Sequence, residues 1–556
     1  MRYSHRLPLL TACATTLGLA GGAAAWVLLH LIGLITNLAL FHRWGWEPPS
    51  FTDLDPSPWI VVAAVGGGLA IAVLARWAPV IRGHGLPEAM EAVLVRQSRI
   101  QPRTAVAKPV SAAVAIGTGG PFGAEGPIIV TGGALGSLLG QVLHVSASER
   151  KVLLASGAAA GMAATFGAPL AAVVLAIELL LFEFSARAFL PLVVAASVAS
   201  GMHHAIIGDG PLFTVPAHDV AGLDQLPLFA VLGVGCGLLA VVIAKGLFAA
   251  EHGFRRLPVS EFWHPVIGSL AFAVVGLTVP RALGVGYDAI QDVIDGRLAV
   301  GAVAALLLAK LVAWWFALGS GTSGGTLAPI LLISGCFGHL VGAGVDNLFP
   351  GLDIAPGAFA LVAMAATFGS ATGATFAAIV FVFELTGDYN VILPLMLATV
   401  TADLVARALL DETLMTEKLT RRGVRVRSHY EPDVFHTTTV GAVMRPALGD
   451  DSPAGPTVRR NDPLVAVLTH LADDEVEDVP VVDDEGNLVG VCTRHDLLTA
   501  RLALLDHERP QPGWLAGASR VRLRPRSRVL AGSASPGSTA SREGEDSADA
   551  DEAAGL

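Results

Sequence analysis

The sequence is poor in charge and in cysteine. Only 15% of its 556 residues are charged, whereas a soluble globular domain carries about 25%, so most of the chain is predicted to lie in a membrane. The four cysteines (Cys13, Cys236, Cys336 and Cys492) are scattered, which excludes a disulfide framework and a cysteine zinc site. The histidines are not spaced as metal ligands, so no metal is predicted, and no basic patch indicates nucleic acid.

Glycine is abundant instead, and its densest stretch interrupts a hydrophobic segment. Residues 117–127 read Gly-Thr-Gly-Gly-Pro-Phe-Gly-Ala-Glu-Gly-Pro, and an apolar run follows. Gly126-Pro127 before such a run predicts a helix that begins inside the bilayer, because proline is favoured in the first turn. The unpaired N–H groups and positive dipole end of that helix attract anions. Since a carboxylate at membrane depth is costly, Glu125 is the first functional candidate.

The two halves of the hydrophobic region repeat these features. A second glycine-rich break, Gly-Ser-Gly-Thr-Ser-Gly-Gly-Thr-Leu-Ala-Pro, occupies residues 319–329. Residues 167–172, followed by Glu178, match residues 373–378, followed by Glu384, at identical spacing. Broken helices at matching places in two halves indicate an all-α polytopic transporter built on internal repeats, with its site at the midplane. Glu178 and Glu384 are interpreted as structural groups at helix ends.

The N-terminus imitates a secretory signal, since basic residues precede an apolar run. That run continues to about Phe41, which is too long for the hydrophobic region of a signal peptide. A retained first membrane helix is therefore expected, with the N-terminus in the cytoplasm by the positive-inside rule. The predicted localisation is the cell (inner) membrane, with both termini cytoplasmic.

Composition divides the chain into four parts. Residues 1–419 are predicted to be the transmembrane domain, and residues 420–436 a polar and basic linker. Residues 437–510 form a small α/β domain, in which two strand patterns flank an Asp-Glu-Gly-Asn turn. Residues 511–556 are rich in Ser, Ala, Gly, Asp and Glu and are predicted to be disordered.

Four motifs resemble those of the CLC chloride channels and proton/chloride antiporters. In chain order they are Gly-His-Gly-Leu-Pro at 83–87, Gly-Ala-Glu-Gly-Pro at 123–127, Gly-Thr-Leu-Ala-Pro at 325–329 and Phe-Glu-Leu-Thr-Gly-Asp-Tyr-Asn at 383–390. The resemblance implies inverted repeats with broken helices, and a homodimer with one anion pathway in each subunit. It also implies transport of chloride or a similar small anion. The α/β domain resembles a cytoplasmic CBS motif, present here in one copy.

The resemblance also assigns site residues. Glu125 is expected to be the gating glutamate, which carries the proton and whose ionised carboxylate can occupy an anion position. The expected anion-binding positions are His84, Gly85, Glu125, Gly126, Thr326, Leu327 and Met415. In the CBS-like domain, Thr493 and Asp496 stand at positions that contact a nucleotide ribose in some members, so an adenine nucleotide is the one cofactor considered.

Three positions depart from the family pattern. His84 stands where a serine is usual; imidazole can donate an N–H or, as a cation, attract anions, and the alternative is a packed neutral histidine. Met415 stands where a tyrosine is usual and cannot donate a hydrogen bond, so the inner gate is either looser or rebuilt around His84. Leu179 replaces the internal proton-relay glutamate. Glu183 either substitutes for it or is a solvated carboxylate at a helix end.

Proton-coupled anion exchange gated by Glu125 is the predicted function, and a passive, gated chloride channel is the alternative. Leu179 and Met415 weaken the case for exchange. A membrane-embedded enzyme is disfavoured because no catalytic arrangement of side chains stands at membrane depth. A cation transporter would need rings of carboxylates in its spans, whereas helix N-termini attract anions.

Overall fold

The computed structural model describes residues 6–143, 145–206, 208, 210–215, 225–349, 355–422, 435, 438–447, 455–472 and 476–507. The chain divides into two compact units, residues 1–430 and residues 431–556. The tail predicted at 511–556, and most of the linker predicted at 420–436, lie outside the described residues.

The first unit is helical. Its helices are α1 (Leu7–Leu40), α2 (Trp59–Trp77), α3 (Leu86–Leu94), α4 (Thr104–Gly117), α5 (Glu125–Val142), α6 (Ala147–Phe166), α7 (Pro169–Ala176), α8 (Ala186–Ile206), α9 (Leu226–Arg256), α10 (His264–Thr278), α11 (Tyr287–Ile294), α12 (Val300–Gly319), α13 (Leu327–Leu348), α14 (Pro356–Thr372), α15 (Thr375–Thr386), α16 (Ile392–Leu409) and α17 (Glu417–Arg421). Among the described residues, seven helices are long and apolar enough to cross a membrane. One of them is α1, which is continuous for 34 residues, as predicted for a retained first helix.

Helices α9–α16 repeat α1–α8 in the same order. The first helix of each set is the longest, with 34 and 31 residues, and the third is short, with 9 and 8 residues. Helix α1 packs on α6 and α8, just as α9 packs on α14 and α16. The equivalent pairs α2/α10 and α7/α15 pack against each other, as elements beside a two-fold axis between the halves would. The predicted fold of inverted repeats with broken helices is confirmed.

Equivalent residues also meet across this two-fold relation. Gly123 and Gly325 exchange two backbone hydrogen bonds, of 3.2 and 2.8 Å. The Glu384 carboxylate accepts N–H groups from the first turn of α7, the shortest at 2.7 Å, and Glu178 does the same for α15, at 2.9 Å. Each half therefore caps a broken helix of the other, and the structural role predicted for these two glutamates is confirmed.

Glycines inside the helices permit close packing. A Cβ atom on Gly132 in α5 would collide with the carbonyl oxygen of Gly157 in α6, and a Cβ on Gly157 would collide with that of Gly132. Without an aqueous driving force between apolar helices, such close backbone approach is a main source of helix association in membranes. Packing of α5 on α6 in this way fixes the helix whose first residue is Glu125.

The second unit contains a four-stranded sheet among its described residues. The strands β1 (Arg445–Pro446), β2 (Val458–Arg459), β3 (Asp478–Val482) and β4 (Leu488–Thr493) lie in the order β1-β4-β3-β2, with β2/β3 parallel and the other pairs antiparallel. Helices α18 (Leu464–Leu471) and α19 (Arg494–His507) complete the unit, and its apolar core includes Val479, Val481 and Leu464. The predicted pair of strands is confirmed. The two outer strands have two residues each, too few for an alternating pattern.

Candidate functional site

Four helices, α3, α5, α11 and α13, begin close together. A Cβ atom on Gly126 would collide with the carbonyl oxygen of His84 and would lie 3.2 Å from the Cα of Gly325, two residues before α13. The first residue of α11, Tyr287, donates a hydrogen bond to the first residue of α5, Glu125. Helix N-termini carry unpaired N–H groups and positive partial charge. Their convergence creates a site suited to an anion.

Gly85 makes this convergence possible at α3. Its φ of +96° lies in the region that glycine adopts without penalty. A Cβ atom at this position would lie 2.7 Å from Val130 Cγ2 and 3.1 Å from the carbonyl oxygen of Gly126. Glycine at this position therefore satisfies both the backbone conformation and the close approach of α3 to α5.

Glu125 lies in the middle of the converging helix ends. Its side chain is buried, and Oε1 accepts a hydrogen bond of 2.6 Å from the Tyr287 hydroxyl. Oε2 is folded back over Gly123 and has no hydrogen-bond partner among the described residues. The N–H groups of Glu125 and Ala328 and the ammonium of Lys310 attract the carboxylate electrostatically. Helix N-termini and a lysine therefore offset part of the cost of burying this negative charge.

Tyr287 is a site residue that was not predicted. Its ring packs edge-on against Phe166 and Phe213, at centroid distances of 6.3 and 6.2 Å, so the hydroxyl is held toward Glu125. The sequence feature that could have identified Tyr287 is the second half of the internal repeat. Gly-Val-Gly at 284–286, directly before Tyr287, corresponds to Gly-His-Gly at 83–85.

Two buried lysines, which were also not predicted, hold the loops that lead into the site. Lys108 Nζ in α4 donates to the carbonyl oxygens of Ile81 and Gly83, at 2.9 and 2.8 Å. Lys310 in α12 donates in the same way to Gly284, at 2.7 Å. Both lysines are fully buried and stand at equivalent positions of the two halves, 17 residues before Glu125 and Leu327 respectively. The two lysines add positive charge close to the helix N-termini, and their hydrogen bonds fix the turns before α3 and α11.

His84 is buried at the start of α3, and its Nδ1 atom has no hydrogen-bond partner among the described residues. A buried polar atom without a partner is costly, and this unpartnered atom is compatible with the predicted role of His84 as an anion ligand. Its neighbour Gly83 adjoins two ammonium groups. Lys108 binds its carbonyl oxygen, and a Cβ on Gly83 would lie 3.1 Å from Lys418 Nζ.

We predict that His84→Ala weakens anion binding roughly 10- to 100-fold, because a hydrogen bond to a charged group contributes about 1.5–3 kcal/mol. His84→Ser retains a donor and should recover most of this affinity. Anion flux between pH 5 and 8, measured in a Glu125→Gln background, should vary with pH when His84 is present and flatten with serine, because a bound anion favours the protonated ring. The matched control is His339→Ser, which alters another buried histidine whose Nδ1 has no hydrogen-bond partner among the described residues. Equal flux and equal pH curves for all variants would establish a packed neutral histidine.

The remaining predicted anion positions lie on the α13 and α17 sides. Thr326 is the N-cap residue of α13, Leu327 is its first residue, and both are buried. Met415 is fully buried just before α17, where its N–H faces Thr413 Oγ1 at 3.3 Å. Lys418, one turn further along, reaches Gly83, so this segment adjoins the start of α3. No described contact joins Met415 to Glu125.

Glu183, the predicted substitute relay, lies away from these helix ends. A π-helical turn, Ile177–Leu181, extends α7 and ends at Phe182 in a left-handed conformation. Glu183 then emerges with 48% of its side chain exposed, 3.9 Å from Lys151. This position supports the alternative of a solvated carboxylate. Leu179, at the usual relay position, instead borders a cavity of about 360 Å³ with Glu178, Asp403 and Glu412.

In the second unit, Thr493 and Asp496 bind each other. Asp496 Oδ2 accepts the Thr493 N–H and hydroxyl at 3.0 and 2.8 Å, and Oδ1 accepts Arg445 Nε at 2.8 Å. Burial alone would raise the pKa of Asp496, but these hydrogen bonds lower it below its usual value. The ionised carboxylate therefore stabilises the unit at neutral pH, and that contribution is lost as pH falls through the lowered pKa. Both oxygens are already engaged without a ligand.

The inverted repeats, the broken helices and the central helix ends define a class of membrane transporter whose site lies between its two halves. The chain belongs to the voltage gated chloride channel (CLC) family, whose model matches residues 66–407. Residues 440–503 match the CBS domain.

Relatives and solved structures agree with this assignment. The H(+)/Cl(-) exchange transporter ClcA of Vibrio campbellii (strain ATCC BAA-1116) is 33% identical over 377 residues, which cover 65% of this chain and 80% of that protein. The crystal structure of a slow cyanobacterial Cl-/H+ antiporter aligns with a TM-score of 0.66 at 24% identity, over 74% of this chain and 97% of that one. A CLC-type fluoride/proton antiporter aligns with a TM-score of 0.60 at 21% identity, over 73% and 96%.

Proposed function

We propose that this protein exchanges chloride, or a similar small anion, for protons across a membrane, with Glu125 as the gate and proton carrier. The position of the Glu125 carboxylate carries the proposal. It is buried among the N-terminal ends of α5, α11 and α13 and folded over Gly123. In the ionised state the carboxylate takes the place that an anion would occupy. Protonation removes its charge and its attraction to the helix ends, so an anion replaces it.

Exchange is favoured over a passive channel by the relatives, several of which are named proton/chloride exchange transporters. The substitution of Leu179 for a relay glutamate leaves the inner proton route to be supplied otherwise. The cavity bordered by Glu178, Leu179, Asp403 and Glu412 has carboxylates on its wall and room for water. Water in this cavity would bring protons from one side of the membrane to the level of the π-helical turn.

The experiment is chloride-driven proton pumping in proteoliposomes. An outward chloride gradient should drive protons uphill, recorded by a pH electrode while a chloride electrode records the anion. Chloride flux without any proton movement would identify a passive channel. Repeating the measurement with fluoride and nitrate would identify the preferred anion. We also propose a homodimer, which crosslinking in the bilayer would test. The proposed orientation, with both termini on the cytoplasmic side of the inner membrane, would be tested by protease access to tagged termini.

An adenine nucleotide stays a prediction for the CBS domain. Ribose hydroxyls would have to displace Arg445 or Thr493 from Asp496, so we expect weak binding that Asp496→Ala abolishes. Calorimetric titration of the full chain with AMP and ATP would measure this. Asp483→Asn, in the hairpin turn, is the matched control. Tight binding, or binding indifferent to Asp496, would contradict the expectation.

A further inference from the structure

A basic cavity lies on the flank of the first unit, apart from the anion site. Its volume is about 500 Å³, and it lies between α3, the loop that follows α3, and the end of α17. Five arginines and two glutamates line it, so the formal charge of its wall is 5 − 2 = +3. The arginines are Arg82, Arg96, Arg99, Arg103 and Arg422.

The internal ion pairs leave part of this charge free. Arg96 and Arg422 share one carboxylate, that of Glu91. Among the described residues, Arg103 donates only to neutral oxygens, those of the Gln101 side chain and the Trp77 backbone, at 2.8 and 3.3 Å. Arg99 donates its backbone N–H to the Arg96 carbonyl oxygen at 3.0 Å, but within the described part of the chain its guanidinium makes no hydrogen bond or ion pair. Two guanidinium groups therefore border the cavity without a carboxylate partner.

The loop that carries Arg96 and Arg99 is held in an unusual conformation. Gln97 and Ser98, which lie between the two arginines, have φ values of 50° and 58°, a region that non-glycine residues adopt at a cost. Ser137 of α5 fixes the loop by donating to the Ser98 carbonyl at 2.7 Å and accepting the N–H of Ile100 at 2.9 Å. The protein thus maintains a strained, anchored loop that presents guanidinium groups to the cavity.

Exposed apolar residues, named here the rim, stand one or two positions in the sequence from residues that line the cavity. Trp77, Val95 and Val106 flank lining residues in the sequence, and each exposes more than half of its surface. Tryptophan is enriched where a membrane protein meets the lipid headgroups. A wall with excess positive charge beside an exposed apolar rim matches a molecule that joins a phosphate to acyl chains.

We propose that this cavity binds the phosphate headgroup of an anionic phospholipid, with Arg99 and Arg103 as its principal contacts and the acyl chains along the rim. Arginine suits this role because its planar guanidinium binds phosphate oxygens bidentately. Arg422 at the end of α17 connects the cavity to the segment that contains Met415. A bound lipid would therefore steady α17 against α3, next to the start of the anion site.

The test measures binding directly and does not depend on transport. The purified full chain in zwitterionic detergent is titrated with short-chain phosphatidylglycerol, short-chain phosphatidylcholine or inorganic phosphate, and the unfolding midpoint is followed. Phosphatidylglycerol should raise the midpoint, whereas phosphatidylcholine and phosphate at equal concentration should not. For Arg99→Gln/Arg103→Gln, the apparent Kd should rise about 30-fold, since each basic residue contributes roughly a fivefold factor.

Two further variants make the result decisive. Arg76→Gln/Arg256→Gln removes two exposed arginines outside the cavity and should keep the wild-type response. Arg99→Lys/Arg103→Lys keeps the charge without the bidentate geometry, so an intermediate response is expected even if the glutamine variant folds poorly. An unchanged phosphatidylglycerol response in both Arg99/Arg103 variants would overturn the site. An equal response to inorganic phosphate would replace the lipid with a soluble phosphate.

Discussion

Replacing Glu125 by glutamine is expected to abolish proton movement while anion flux continues. Glutamine keeps the size of the side chain and its hydrogen bond from Tyr287, but it neither titrates nor carries charge. The helix ends that attract the carboxylate are then open to an anion at every pH. Chloride-driven proton flux should fall below detection, and chloride flux should stay equal or increase and lose the pH dependence due to Glu125.

The matched control is Glu384→Gln, another carboxylate in the membrane unit. Glu384 caps α7 through two backbone N–H groups, and glutamine retains an acceptor oxygen for this purpose. The control should keep chloride-driven proton uptake. Proton pumping against a gradient by Glu125→Gln would show that another group carries the proton. Loss of both fluxes in Glu125→Gln alone would contradict the gating role.

Glu125 could be found from the sequence because its chemistry is local. A carboxylate between glycines and a proline, ahead of an apolar run, implies a charge at a helix start, and the structure places it at the first residue of α5. The repeat was predictable for the same reason, since residues 167–172 and 373–378 match directly. Glycine and proline leave a recognisable pattern because they determine where these broken helices begin and end.

Tyr287 and the two lysines could not be found from local patterns. Helix α11 has eight residues, Tyr-Asp-Ala-Ile-Gln-Asp-Val-Ile, and its polar composition resembles a loop between spans. Lys108 and Lys310 interrupt apolar helices, and only the folded chain brings their ammonium groups to carbonyl oxygens some 25 residues away. Their roles depend on contacts between elements distant in sequence. When the two glycine-rich breaks are aligned in sequence, however, Lys108 and Lys310 fall at the same position.

The location of Tyr287 changes the interpretation of the missing tyrosine at Met415. Met415 has no hydroxyl to offer an anion at the inner end, whereas Tyr287 offers one to Glu125 from α11. The Tyr287 hydroxyl is therefore already hydrogen-bonded to the Glu125 carboxylate. A hydrogen bond to an ionised carboxylate favours that form over the protonated one. On the proposed function, Tyr287 is therefore a positioning residue whose hydroxyl favours the ionised form of Glu125 and holds its side chain in place.

Tyr287→Phe should accordingly open the gate at higher pH. The substitution removes one oxygen atom and keeps the ring packing against Phe166 and Phe213. Losing a hydrogen bond of about 1.5–3 kcal/mol to a charged group corresponds to roughly one to two pH units. The midpoint of pH-dependent chloride flux should rise by that amount, and proton coupling should persist because Glu125 remains. The measurement is chloride efflux from proteoliposomes between pH 4 and 9.

Two comparisons separate this role from a structural one. Tyr389→Phe changes a tyrosine that is 70% exposed and should not change the midpoint of pH-dependent chloride flux. In a Glu125→Gln background, Tyr287→Phe should have no further effect on pH dependence, because the group that it acts through no longer titrates. A shift that persists in this background would assign the effect to another residue. An unchanged midpoint in the single variant would mean that the hydroxyl does not hold the carboxylate during transport.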